Sequence, residues 1–190
     1  MGYLKSLPVG EYRKTYSLYH FIETGTFYGD GTQFALDAGF ESCHTIEVNE
    51  HYVNLARDRF KGKKASVWHG TSLEQLPVIL PYLYGPTLWW LDAHLQDVYG
   101  MPIEAFHPLP LEQELRIIAE GRDISKDVFL IDDLRIYEDF PSKPWDPEDR
   151  KRYAMYNVKE GGAFIDDILS STHKVSRLFM DDGYVVAVPI

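Results

Sequence analysis

A chain of 190 residues, 45% of them apolar, is the size of one globular domain and can remove roughly 70% of its unfolded surface from water. Its 19 basic and 29 acidic residues leave a formal charge of −10, the wrong sign for tracking phosphates, so no nucleic-acid partner is expected. The one cysteine forms no intramolecular disulfide, and no apolar run approaches a membrane span or a signal peptide; a cytoplasmic chain with no membrane partner is expected.

Strand-like runs alternate with helix-like runs almost to the end. His20 to Thr24 is the first strand; its helix starts near Gly31, with Asp30 placed to cap it, and ends at Gly39. "CHTIEV" is the second strand, where Cys43 reads as a buried thiol. In "NEHYVNLARDRF", Asn49 is a natural cap and Val53, Ala56 and Phe60 share one helical face. "ASVWHG" is the third strand, followed by Thr71, Ser72 and a helix that Pro77 should cut short. After the fourth strand, "TLWWLDAH", Leu111, Leu115 and Ile118 mark an amphipathic helix from Pro110 to Gly121. "VFLIDD" is the fifth strand, and Phe164, Ile165, Ile168 and Leu169 mark another helix. "HKVSRLFMDDGYVVAVPI" holds two strands joined by Asp181-Asp182-Gly183, a hairpin signal.

This order predicts one α/β domain over 1–190, Rossmann-like and doubly wound, mostly parallel with a C-terminal antiparallel hairpin. The Met-Gly opening and the strand-like ending also suit a piece cut from a longer protein. Right-handed crossovers bring the C-terminal ends of the parallel strands to one edge, where such sheets bind ligands.

Glu23, Thr24, Gly25, Thr26, Tyr28, Gly29, Asp30 and Gly31 cluster at the end of the first strand. Their spacing is G-x-x-x-G-x-G, not the dinucleotide pattern G-x-G-x-x-G, and a fixed charge at Asp30 disfavours a diphosphate. A donor with a sulfonium, an ammonium and one carboxylate suits acidic residues better. Glu47, at the end of strand two beside Val48, can accept from both hydroxyls of a ribose. On these residues the sequence resembles class I S-adenosylmethionine-dependent methyltransferases over roughly residues 18 to 190. "ETGTFYGDG" looks like the family's first motif, "IEVNE" the second, "HGTS" the adenine-contacting motif and "LWWLDAH" the fourth. The resemblance implies strand order 3-2-1-4-5-7-6, with the residues just named, Thr71, Ser72 and Asp92 around S-adenosylmethionine. Ser72 serves equally as a helix cap.

Asp92 ends one strand, and Asp132 and Asp133 end another. Three anions crowded beside apolar strands repel one another unless a cation intervenes, and an all-oxygen trio suits Mg2+, Mn2+ or Ca2+. Neighbouring strand residues point to opposite faces, so Asp132 and Asp133 can share an ion only if the chain turns there. Otherwise Asp133 caps the next segment and no metal binds. "LDAH … LIDDLRIY" resembles the metal-dependent O-methyltransferases of the catechol and macrolide-sugar types, and the paired aspartates lean toward the sugar-modifying branch. This implies that Asp92, Asp132 and Asp133 hold Mg2+ (or Mn2+), which lowers the pKa of an acceptor hydroxyl. Catechol-type enzymes place a Lys base three residues after the first aspartate, where this chain has Leu95. His94 is then the candidate base, or else a strand-end histidine bonded to a carbonyl.

Two long segments follow the key strands, and 138–162 is expected to be an insertion or lid on the acceptor side. Tyr99, Phe106, Trp145, Tyr153 and Tyr156 offer flat faces to a sugar, or pin the loops, or form a homodimer contact. "EDRKRY" reads as a solvated helix face. The reading is a metal-assisted O-methyltransferase acting on a glycan or small-molecule hydroxyl. An NAD-dependent oxidoreductase and a non-catalytic binding module on the same scaffold are the alternatives.

Overall fold

The computed structural model describes residues 4–94, 109–138 and 162–190. Within them β1 (His20–Thr24), β2 (Ser42–Glu47), β3 (Ala65–His69), β4 (Thr87–Leu91), β5 (Val128–Ile131), β6 (His173–Leu178) and β7 (Tyr184–Pro189) form one sheet. Its order is β3-β2-β1-β4-β5-β7-β6, as expected. The first five strands are mutually parallel, while β7 runs antiparallel to both β5 and β6. The helices are α1 (Val9–Thr15), α2 (Asp30–Asp37), α3 (Glu50–Arg59), α4 (Ser72–Ile79), α5 (Leu111–Gly121) and α6 (Ala163–Leu169).

Every residue of β1, β4 and β5 is buried, because helices cover both faces of the central strands. Their alternation splits the core in two. Ile22, Trp89, Leu91, Phe129 and Ile131 pack with Leu76 and Ile79 of α4, Leu115 and Ile118 of α5, and Ile165 and Leu169 of α6. Phe21, Cys43, Leu88, Trp90 and Leu130 pack with Ala35 of α2 and the N-terminal Leu4, Leu7 and Val9. Burial pushes the Cys43 thiol up to about 12, as befits a core residue.

Three local expectations are corrected. Asp30 does not cap α2: Gly29, at φ 79°, is the N-cap, and Asp30 is the first helical residue. The turn from Thr26 to Gly29, closed by a 2.8 Å backbone bond, ends on a left-handed residue, which glycine adopts without strain. Pro77 does not cut α4 short, and the chain continues as a 3-10 turn over Leu80–Tyr82. An interior proline costs about 3 kcal/mol, but Leu76 and Ile79 are fully buried and return roughly 1.5–3 kcal/mol each. The β6–β7 connection spans 179–183 rather than three residues, because Asp181 (φ 53°) and Gly183 (φ 85°) both turn left-handed and Gly183 donates to the Met180 carbonyl.

Among the described residues no helix is long and apolar enough to cross a membrane. Leu95, Tyr99, Phe106, Trp145, Tyr153, Tyr156, "EDRKRY" and 139–161 of the expected lid lie outside the described residues.

Candidate cofactor and metal-ion site

Adjacent strands β1 and β4 lead to opposite faces, to α2 and to α5, so the sheet opens at their C-terminal ends. Gly25 donates to the Ile46 carbonyl (3.0 Å), and Asp92 donates its amide to the Thr24 carbonyl (3.2 Å). Gly25 sits at φ 89°, and a Cβ there would lie 2.7 Å from the Asp92 carbonyl oxygen. At Gly31 a Cβ would lie 2.0 Å from Oε1 of Glu23. The glycines are therefore required first by the chain's own packing, which draws Glu23 and Asp92 against the loop.

Glu23 lies beneath that loop. Its Oε2 accepts from the hydroxyls of Thr32 (2.7 Å) and Thr45 (2.6 Å). Burial pushes its carboxyl up to about 7 although those hydroxyls pull the other way. Thr26, also buried, shares a 2.5 Å hydroxyl contact with Thr45. Glu47 ties three loops together. Its Oε2 accepts from the Phe27 amide and its Oε1 from the Asn49 amide, both at 2.8 Å, and its carbonyl accepts from Gly70 at 2.9 Å. Val48 follows it, half-buried. The rings of Phe27 and Tyr28 pack on Tyr52, with centroids 4.7 and 5.3 Å away.

Other predicted cofactor residues have different local duties. Asp30, its side chain 84% exposed, pairs with Arg59 at 2.7 Å, and Arg59 also bonds the Tyr28 carbonyl. Thr71 caps α4 reciprocally with Glu74, so the cap is Thr71 and not Ser72. Ser72 is buried and hydrogen-bonds Glu114.

Glu114 escaped the sequence reading. It stands in the first turn of α5, 1% exposed, with its carboxyl bonded by Ser72 and Thr24 and its Oε1 without a partner. Burial pushes it up to about 7. The available signal was a charge on the apolar stripe: three residues after Leu111 and four before Ile118, Glu114 faces the core.

The aspartates converge as adjacent strands require. The Asp132 amide donates to the Leu91 carbonyl (3.1 Å), setting the end of β5 beside that of β4. Asp133, at φ 51°, makes the turn on which a shared site depends. It holds the N-cap position of the 3-10 turn Leu134–Ile136 without capping it by its side chain. Its Oδ2 lies 2.7 Å from Nε2 of His94, whose Nδ1 lies 3.5 Å from Oδ1 of Asp92. Oδ1 of Asp132 instead accepts the Asp133 amide at 2.8 Å. Burial and then Asp132, Asp133 and Glu23 raise Asp92 well above the carboxylate range, and burial and Asp133 push Asp132 up to about 7. Burial would also raise Asp133, but the His94 hydrogen bond and the charges of His94 and Arg135 hold it low. One cleft takes in Asp92, His94, Glu114, Asp132 and Asp133, with Leu111 and Ile136 on its apolar side.

Carboxylates and an imidazole converging on one cleft fit a divalent cation. Asp92, His94 and Asp133 each offer one ligand atom within 4.8 Å of the other two. On the rim beside the Gly25 loop, each Glu47 oxygen accepts one amide and retains a lone pair.

No protein-family model matches the chain, and no curated protein matches it in sequence. Solved structures do. A Staphylococcus aureus protein assigned as a caffeoyl-CoA O-methyltransferase superposes with a TM-score of 0.69 at 15% identity, over 100% of this chain and 85% of the other. An O-methyltransferase from Bacillus cereus in complex with SAH gives 0.62 at 16% identity, over 96% and 79%. TomG, a Streptomyces achromogenes O-methyltransferase of tomaymycin synthesis in complex with SAM, gives 0.58 at 14%, over 95% and 77%. At these identities the likeness establishes the fold alone, a Rossmann-like α/β sheet.

Proposed function

We propose that the chain is an S-adenosylmethionine-dependent O-methyltransferase, assisted by a divalent ion, that methylates a hydroxyl of a sugar, glycan or related small molecule. The observation that carries this reading is the placement of Glu47 and Asp92 on either side of the Gly25 loop, where the sheet opens. Each Glu47 oxygen already accepts one amide and keeps a lone pair for a ribose hydroxyl. Thr71 orders the neighbouring loop by its reciprocal cap, and Asp92 closes the opposite side.

S-adenosylmethionine, held between Glu47 and Asp92, would supply an electrophilic methyl on a sulfonium. A divalent ion held by carboxylates of the cleft would supply charge that acidifies a nearby hydroxyl. The chain's own residues hold the acceptor in line and take its proton. Two groups on the cleft are placed to hold that proton: His94, and Glu114 with its unpartnered oxygen. A sugar-like acceptor is supported by the paired aspartates at 132–133 and the hydroxyl-binding chemistry of an acidic cleft.

The test is calorimetry of the whole chain with S-adenosylhomocysteine and with NAD, followed by a methyl-transfer screen over sugars, nucleotide sugars and phenols with and without EDTA. S-adenosylhomocysteine is expected to bind, and Glu47→Gln to weaken it about 10- to 100-fold, the value of a lost charged hydrogen bond. Tight NAD binding with no response to S-adenosylhomocysteine would sink the proposal.

A further inference from the structure

We infer that the ion of this cleft is held by Asp92, His94 and Asp133, a mixed nitrogen and oxygen set that selects a transition-metal dication such as Mn2+ over Mg2+, while Asp132 serves the backbone. The inference rests on the methyl-transfer reading for the ion's purpose, but the donor set stands on geometry alone.

Four observations lead to it. First, Asp92, His94 and Asp133 present ligand atoms within 4.8 Å of one another. Second, Nε2 of His94 and Oδ2 of Asp133 are 2.7 Å apart. Neighbouring donors around a six-coordinate ion with bonds of about 2.1 Å stand about 3 Å apart, so a small opening of this hydrogen bond admits an ion. Third, Asp132 contributes no atom to that cluster; its Oδ1 accepts the Asp133 amide and so holds the left-handed turn that aims Asp133 at His94. Fourth, Oε1 of Glu114, a residue of the cleft lining, is buried without a hydrogen bond, whereas Oδ1 of Asp133 lies 3.2 Å from Nε of Arg135. A buried oxygen without a donor is costly, and an ion's bound water satisfies it.

The consequence for selectivity is chemical. Mg2+ takes oxygen ligands and sheds water reluctantly, whereas imidazole suits transition metals and carboxylate suits Mn2+. With His94 engaged as a ligand, Glu114 is left to hold the acceptor proton: the hydroxyl O–H breaks as the O–CH3 bond forms, the S–CH3 bond breaks, and the proton passes from Glu114 to water.

The experiment titrates the whole chain with Mn2+ and separately with Mg2+ by calorimetry, and records pulsed EPR of the Mn2+ complex for nitrogen coupling. It then repeats the Mn2+ titration on Asp132→Asn, which keeps the amide acceptor, and on Asp133→Asn and His94→Ala. Expected are Mn2+ at least tenfold tighter than Mg2+ and a nitrogen coupling in the unmodified chain. Mn2+ affinity should stay within threefold in Asp132→Asn and fall at least tenfold in the other two. Bound Mn2+ without nitrogen coupling overturns the inference, as does equal damage from Asp132→Asn and Asp133→Asn, which would mean a three-aspartate site. The EPR of the unmodified chain decides the matter even where a variant fails to fold. S-adenosylhomocysteine calorimetry runs alongside: no Mn2+ binding with intact S-adenosylhomocysteine binding ends the inference and leaves the methyl-transfer reading standing. Nitrogen-coordinated Mn2+ without S-adenosylhomocysteine binding does the reverse.

Discussion

Glu114→Gln should make the protein more stable at pH 8 than the unmodified chain, although it removes a charge from a buried polar network of three side chains. The carboxyl is pushed up from 4.5 to about 7, by burial first, while Ser72 and Thr24 pull it down by less. An acid raised in the folded state is ionised more readily in the unfolded chain. The folded state then binds more protons between pH 4.5 and 7, and stability falls as pH rises through that window. At 1.36 kcal/mol per pKa unit, the full penalty is roughly 3 kcal/mol at pH 8, and most of it accrues above pH 5. Glutamine is neutral throughout, and its oxygen still accepts from the two hydroxyls. Urea denaturation at pH 5 and pH 8 checks this. The variant's advantage should widen by about 2–3 kcal/mol between the two, which for a chain of this size is several degrees or more in Tm. Glu23 and Asp132, also pushed up to about 7, leave the variant with a slope of its own. An advantage equal at both pH values, or a loss at pH 8, would refute the claim that burial governs Glu114.

Gly25→Ala places a Cβ against the Asp92 carbonyl at a left-handed φ; a loss of about 1–3 kcal/mol in stability and at least tenfold in S-adenosylhomocysteine affinity is expected by denaturation and calorimetry, and unchanged affinity would count against the loop. Asp127→Ala removes a buried acceptor that takes the Thr87 amide and the Trp89 indole N–H, both at 2.9 Å, and pairs with Arg122 at 3.3 Å. It should cost about 3–5 kcal/mol in urea, and a loss below 1 kcal/mol would show that Arg122 reaches solvent instead.

The sheet was legible because its central strands are apolar on both faces: "HFIET", "TLWWL" and "VFLI" have no solvent side, so their length and Pro/Gly punctuation sufficed. The same holds for Asn49, whose capping bond to the His51 amide spans two residues. Misreadings arose where a distant partner overrode a local preference. Asp30 has the chemistry of a cap, but Arg59 of α3 offers it a full charge, and Gly29 alone takes the left-handed turn easily. Pro77 is a helix breaker in isolation, yet the apolar face of α4 continues past it into the core.

The site divides along the same line. That Glu47, Asp92, Asp132 and Asp133 end strands is a local fact, and parallel pairing then brings those ends to one edge. Which carboxylates meet is not local. His94 meets Asp133 across two strand ends where Asp133 turns left-handed, and the same turn gives Asp132, in the same cleft, an amide to hold. The left-handed turn at Asp133 thus goes with a donor cluster of Asp92, His94 and Asp133, whose ligand atoms lie within 4.8 Å of one another. The donor set of such a cleft therefore depends on the geometry of its turns as well as on the acidic residues in its strand-end motifs.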